Sequence, residues 1–174
     1  MLRTLLLSSA LAVALSACGD RPAAESTMPA DTALQDHNPL YVTSALPVQA
    51  PPFDRIKDAH YQPAIEEGMR RHLAEVRTIA DNPEPATFAN TFLALEQSGM
   101  LLTRASSVFF AMTGAHTNPT LQAAEEALAP KLAEHSDAIH LDPTLFARVK
   151  SVYDARDTLG LTPEQKTVVE HTYD

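Results

Sequence analysis

The chain has 174 residues, 45% of them hydrophobic and 6% aromatic, with no Trp and a single Cys. Its 13 Lys and Arg against 22 Asp and Glu give a formal net charge of −9, which argues against a nucleic-acid binder, since that needs a basic face to neutralise phosphates. One Cys excludes an internal disulfide framework and a Cys-rich zinc module, and the length predicts one domain with a tail.

The N-terminus reads as an address. Met1-Leu2-Arg3 is a short positive start, and Thr4 to Leu15 is an almost unbroken small and apolar run. That run has the roughly 7–15 residues of a secretory signal and falls short of the ~20 that span a bilayer as a helix. It ends in Leu15-Ser16-Ala17-Cys18-Gly19, which resembles the bacterial lipobox, where cleavage precedes a Cys whose thiol takes a diacylglycerol. The alternative is an ordinary signal with a chance Cys. The resemblance implies residues 1–17 as signal peptide, lipid attachment at Cys18, and membrane partnership through the lipid rather than a basic patch. Gly19 after the Cys, in place of Asp, implies the outer membrane of a bacterial cell envelope, facing the periplasm.

Residues 18–37 are polar and rich in Pro, Ala, Thr and Asp, which predicts a tether. Residues 38–174 are expected to fold. Asn38 to Phe53 carries Pro39, Pro47, Pro51 and Pro52, which predicts an extended arm lying on the body through Leu40, Tyr41, Val42, Leu46 and Phe53. Helical spacing follows. Tyr61, Ile65, Met69, Leu73, Val76 and Ile79 step by three and four, with Asp58 as the expected cap, Pro63 in the first turn, and Glu66–Arg70 and Glu67–Arg71 as i,i+4 pairs.

Asn82-Pro83-Glu84-Pro85 stops that helix and Thr87 opens the next, which runs through Phe88, Phe92, Leu95, Leu101, Val108 and Met112. Gly99 either bends it or lets a neighbouring helix approach. Asn118-Pro119 and Asp142-Pro143 each place a cap before a Pro at the first helical position. They open a third helix, with an expected kink at Pro130, and a fourth that ends at the Leu159-Gly160 C′ signal. Thr162-Pro163-Glu164-Gln165 is a capping box for a fifth. No alternating strand run occurs, so the fold class is all-α, about five helices in antiparallel hairpins.

That last helix has no stop signal. Val168, Val169 and Tyr173 continue an apolar face that has little following chain to pack with. This predicts either a frayed end or the front part of a longer protein, weakly cooperative, prone to self-association and least protected after Thr162.

The chemistry is sparse. No His-Glu dipeptide occurs, so the His-Glu-x-x-His zinc motif is absent. His72 with Glu75, and Asp137 with His140, have an i,i+3 spacing that puts two ligands on one face, but a catalytic metal needs three or more. An exposed polar face is the expectation for both pairs. Ser106-Ser107 lies in a helix without the sharp turn of a nucleophilic Ser. Phe109, Phe110 and Met112 read as core, as do Met69 and Met100 singly. No catalytic or metal residue is assigned.

Several stretches carry a resemblance. They are Asn38-Pro39-Leu40-Tyr41, Ala50-Pro51-Pro52-Phe53-Asp54-Arg55-Ile56-Lys57, Tyr61-Gln62-Pro63-Ala64-Ile65, and Pro85-Ala86-Thr87-Phe88-Ala89-Asn90-Thr91 leading to Glu96-Gln97-Ser98-Gly99. Further on come Val108-Phe109-Phe110, Ala129-Pro130-Lys131-Leu132-Ala133-Glu134-His135 and Leu145-Phe146-Ala147-Arg148-Val149. Together they resemble the N-terminal region of the dipeptidyl carboxypeptidases, in the zinc metallopeptidase family of thimet oligopeptidase and oligopeptidase A. The resemblance implies helices that cap a substrate channel, a zinc cofactor and short peptide substrates in the full-length family, and release of C-terminal dipeptides. It implies no catalytic residue, and no bound zinc, for this chain, which on its own is expected to be inactive. The alternatives are a standalone helical lipoprotein acting as a binding or interaction module, and an unrelated structural lipoprotein.

Overall fold

The computed structural model describes residues 38–173. The signal peptide, Cys18 and the tether expected over residues 18–37 lie outside the described residues, as does Asp174. Within them the chain forms α1 (Tyr61–Ala80), α2 (Met100–Ala115), α3 (Pro119–His140), α4 (Pro143–Ala155) and α5 (Pro163–Tyr173), with no strand among the described residues. The class is all-α. None of these helices is long and apolar enough to cross a membrane.

Local chemistry sets most helix starts. Asn118 Oδ1 accepts from the Thr120 and Leu121 amides, and Asp142 Oδ1 from those of Thr144 and Leu145, each ahead of a Pro that needs no donor. Thr162 and Gln165 bond each other's backbone N–H reciprocally, which makes the expected capping box. Asp58 does not cap α1. It belongs to a short 3-10 turn, Asp58–His60, and accepts from Asn118 Nδ2 at 2.9 Å, so it ties the start of α1 to the start of α3.

The second predicted helix is two elements. Phe88–Leu93 is a π-helical turn capped by Thr87 and Asn90, and it passes through Ala94–Glu96 into a break at Gly99, where α2 begins. Gly99 has φ +68°, and a Cβ there would stand 2.9 Å from His72 Nδ1. The residue therefore both breaks the helix and admits a neighbour. Pro130 remains inside a single continuous α3, and α4 stops at Ala155, ahead of Gly160.

The arm is anchored differently from its apolar pattern. Leu40 is buried in the core, but Val42, Leu46 and Phe53 are exposed, and 3-10 turns at Pro39–Tyr41 and Pro47–Gln49 interrupt the extended backbone. Pro52 and the half-buried Ile56 contribute instead. Polar bonds fix the arm: Asn38 Nδ2 donates to the His60 carbonyl at 2.7 Å, and Arg104 donates to the Leu40 carbonyl through Nε and Nη2.

The interior has three apolar clusters. The first joins Leu40 with Ile65 and Met69 of α1, Ala105 and Phe109 of α2, and Leu121 and Leu128 of α3. The second, around Val76, Ile79 and Leu145, leads through Leu95 to the third, around Phe92, Val149, Val152 and Val169. Val169 is 0% exposed, and Tyr173 stacks on Tyr153 at 3.9 Å between centroids. The last helix thus finds packing partners that its sequence surroundings did not suggest. Val168 stays half exposed, and Met100, read as core, is 62% exposed.

Candidate functional site

Two polar clusters and one groove stand out. The first cluster is centred on α1. His72 Nδ1 lies 3.1 Å from His135 Nε2 on α3, and His72 Nε2 lies 3.1 Å from Ser98 Oγ. Ser98 Oγ is 2.6 Å from the Leu95 carbonyl, which can only accept. The hydroxyl proton therefore points at Leu95, and the Oγ lone pair accepts from His72 Nε2–H. His72 Nδ1 is then bare and accepts from His135 Nε2–H. His135 Nδ1 is left buried with no hydrogen-bond partner. Burial holds both imidazoles below their ordinary pKa; the Glu75 charge opposes this at His72, and a charge on His72 adds to it at His135.

A Ser, a His and a third group in line invite comparison with a nucleophilic triad. The arrangement lacks that chemistry. A triad His takes its proton from the Ser, whereas here His72 donates to it, and the third group is an imidazole rather than a carboxylate. The adjacent Gly99 N–H, a possible oxyanion donor, is taken by Glu75 Oε2 at 2.7 Å.

The candidate metal pairs fare differently from one another. His72 is half-buried in the relay rather than on an exposed face, and Glu75 faces the Gly99 turn. Asp137 and His140 are exposed, and His140 Nδ1 is 2.8 Å from the Ser136 carbonyl, one turn back. Among the described residues, no three or more His, Cys, Asp or Glu side chains group so as to hold a metal ion. The residues present do not fit a zinc site of three or four ligands.

The second cluster is built on Arg148 of α4, which is 8% exposed. Its guanidinium donates to the carbonyls of Asn82 and Glu84 and to Asn90 Oδ1, at 2.7, 3.0 and 2.9 Å. Asn90 also caps the π-helical turn, so one Arg clamps the proline loop, the turn and α4 together. The groove, of about 930 Å³, lies between the starts of α1 and α3, with Tyr41, Gln62, Glu66 and Glu67 along it. Glu67 accepts from both Arg70 and Arg71 at 2.7 Å, and the Arg70 bond leads in lowering its carboxyl to about 2. Glu66 pairs with Lys131 of α3 rather than with Arg70 as its spacing suggested. This rim is polar and internally paired. It can hold a ligand but presents no nucleophile with its base.

Fold and site together define an all-α domain whose polar clusters fasten its elements to one another. No protein-family model matches the chain. It is 53% identical over 133 residues to a dipeptidyl carboxypeptidase of Salmonella typhimurium, covering 76% of this chain and 20% of that protein. The dipeptidyl carboxypeptidase of Escherichia coli gives the same identity and coverage. Oligopeptidase A of Salmonella typhimurium is 25% identical over 134 residues, 77% of this chain and 19% of that protein. By sequence the chain is similar to the dipeptidyl carboxypeptidases over 76% of its own length. It spans about a fifth of the length of the curated relatives it matches.

Proposed function

We propose that this chain is the N-terminal part of a peptidase that releases dipeptides from the C-terminus of short peptides, and that its helices cap the substrate channel. The 53% identity over 133 residues, confined to a fifth of the relatives' length, carries the reading. In it, a zinc ion would supply an activated water for the hydrolysis, and its ligands would have to come from outside the described residues. The described helices supply channel wall and binding energy but no metal ligand. Cys18 carries the lipid that holds the protein at the envelope, its motif being the support for that assignment.

The test reads the coding sequence past codon 174 and then assays the protein. An in-frame continuation reaching His-Glu-x-x-His is expected, with dipeptide release by the long form and none by the 174-residue chain loaded with zinc. A stop codon followed by unrelated sequence overturns the peptidase reading. Mass spectrometry of the mature protein should find an acylated Cys18, and any other mature N-terminus sinks the anchor.

A second reading, a helical binding module, draws support from the burial of Val169 and the stacking of Tyr173. These give α5 packing partners within the described residues. The stop codon above would decide in its favour.

A further inference from the structure

We propose that the His72–His135–Ser98 relay is a pH-sensitive latch, holding the C-terminal half of α3 against α1 while both imidazoles are neutral and releasing it about Pro130 on protonation. The proposal is independent of the peptidase reading.

The two halves of α3 are fastened differently. Leu121, Ala124 and Leu128 bury the first half in the largest apolar cluster. After Leu128 the only buried residue of the helix is His135, with Leu132 and Ile139 half-buried on either side. Between the halves sits Pro130, which has no N–H to donate, so the Glu126 carbonyl lacks its helical partner. A backbone weakened at one point, and held beyond it by one buried titratable side chain with only the half-buried Leu132 and Ile139 packed on the apolar clusters beside it, has the elements of a hinge and a catch.

The hydrogen-bond directions make the catch proton-sensitive. Leu95 O fixes the Ser98 proton, Ser98 fixes His72 as the Nε2–H tautomer, and His72 Nδ1 then requires Nε2–H on His135. An added proton has two places to go. On His135 Nδ1 it creates a buried cation whose new N–H has no acceptor. On His72 Nδ1 it faces His135 Nε2–H at 3.1 Å, and His135 can yield only by moving its own proton to the same orphaned Nδ1. A second proton sets two N–H groups head to head.

The surrounding groups do not offset this. On α1, Glu75 is the carboxylate acting on His72, and it is engaged by the Gly99 amide. The Ser98–Gly99 turn carries no charge, and α2 sets the apolar Leu102 against Gly68, one turn before His72 on α1. On α3, Lys131 and Glu134 flank His135 but are exposed, and Lys131 is paired with Glu66. Both imidazoles are shifted below their ordinary value, by burial first. The folded state therefore binds fewer protons than the unfolded one. The latch is fully made above the ordinary His range near pH 6.5 and weakens as pH falls from there.

Hydrogen exchange on the full chain at pH 7.5 and 5.0, corrected for intrinsic rates, tests the proposal. Amides of residues 131–140 should lose at least tenfold in protection at pH 5.0 while those of 121–128 hold. In His135→Gln, whose amide N–H can still donate to His72 but does not titrate, the two regions should respond alike. If that variant does not fold, NMR titration of His72 and His135 in the unaltered chain decides. Apparent pKa values at or above those of ordinary His overturn the latch, as does equal loss of protection in both halves of α3. A His135→Gln chain with the same selective loss overturns it too.

Discussion

Single residues here act mainly by what they allow neighbours to do. Gly68 sits in α1 where it crosses α2, and a Cβ on it would stand 2.7 Å from the Leu102 Cα, a backbone atom that cannot turn aside. Gly68→Ala should force the helices apart and cost about 1–3 kcal/mol, the range for overpacking a tight interior. Chemical denaturation reads this directly, and an unchanged midpoint would mean that the helices separate freely. Neither this contact nor the fit of Gly99 against His72 was legible beforehand. A glycine in a helical sequence does not say which neighbour it admits. Arg148 was opaque for a related reason: its acceptors are the carbonyls of Asn82 and Glu84 and the side chain of Asn90, between 58 and 66 positions away. The same holds for His72 and His135, 63 residues apart.

At the scale of elements, local chemistry was the legible part. Caps at Asn118, Asp142, Thr87 and Thr162 act within three residues, so the sequence around each is sufficient to place it. Asn118 does more than its spacing indicates, because its Nδ2 also donates to Asp58. Asn118→Ala should therefore cost more than the ~1 kcal/mol typical of a lost cap, since it also releases the start of α1. Asp58→Ala should recover part of that cost in a double-mutant cycle, and strict additivity would show the two sites to be independent. The π-helical turn escaped detection because Phe88, Phe92 and Leu95 step by four and three, as in an α-helix. The extra residue per turn follows from packing: Phe88 and Phe92 stack at 5.7 Å, and Arg148 holds Asn90 from α4. The Pro-rich arm departs in part from its pattern, with Leu40 and Tyr41 on the body as expected. Its apolar residues suggested burial, yet three of them are exposed because polar bonds from Asn38 and Arg104 fix its path.

For the whole molecule, the order of the clusters decides how the last helix behaves. The second and third clusters share Leu95, and the third joins Phe92 of the π-helical turn, Val149 and Val152 of α4 and Val169 of α5, so these three elements stand or fall together. Val169 is fully enclosed in that third cluster, whereas Val168 beside it is 48% exposed at the edge of an apolar groove with Phe88, Phe92 and Leu93. Adjacent residues of identical chemistry thus have opposite roles. Val169→Ala should lower stability by about 2 kcal/mol through lost burial and the cavity it leaves. It should also loosen Val149 and Val152, its partners across α4. Val168→Thr should leave the unfolding free energy within about 0.5 kcal/mol, as for surface changes generally. It should instead reduce self-association, because an exposed apolar groove is the surface that a second molecule would cover. Thermal melts paired with sedimentation velocity separate the two effects. If Val168→Thr lowers stability as much as Val169→Ala, the residue is buried in solution, and the groove beside it is closed by a partner rather than open to water.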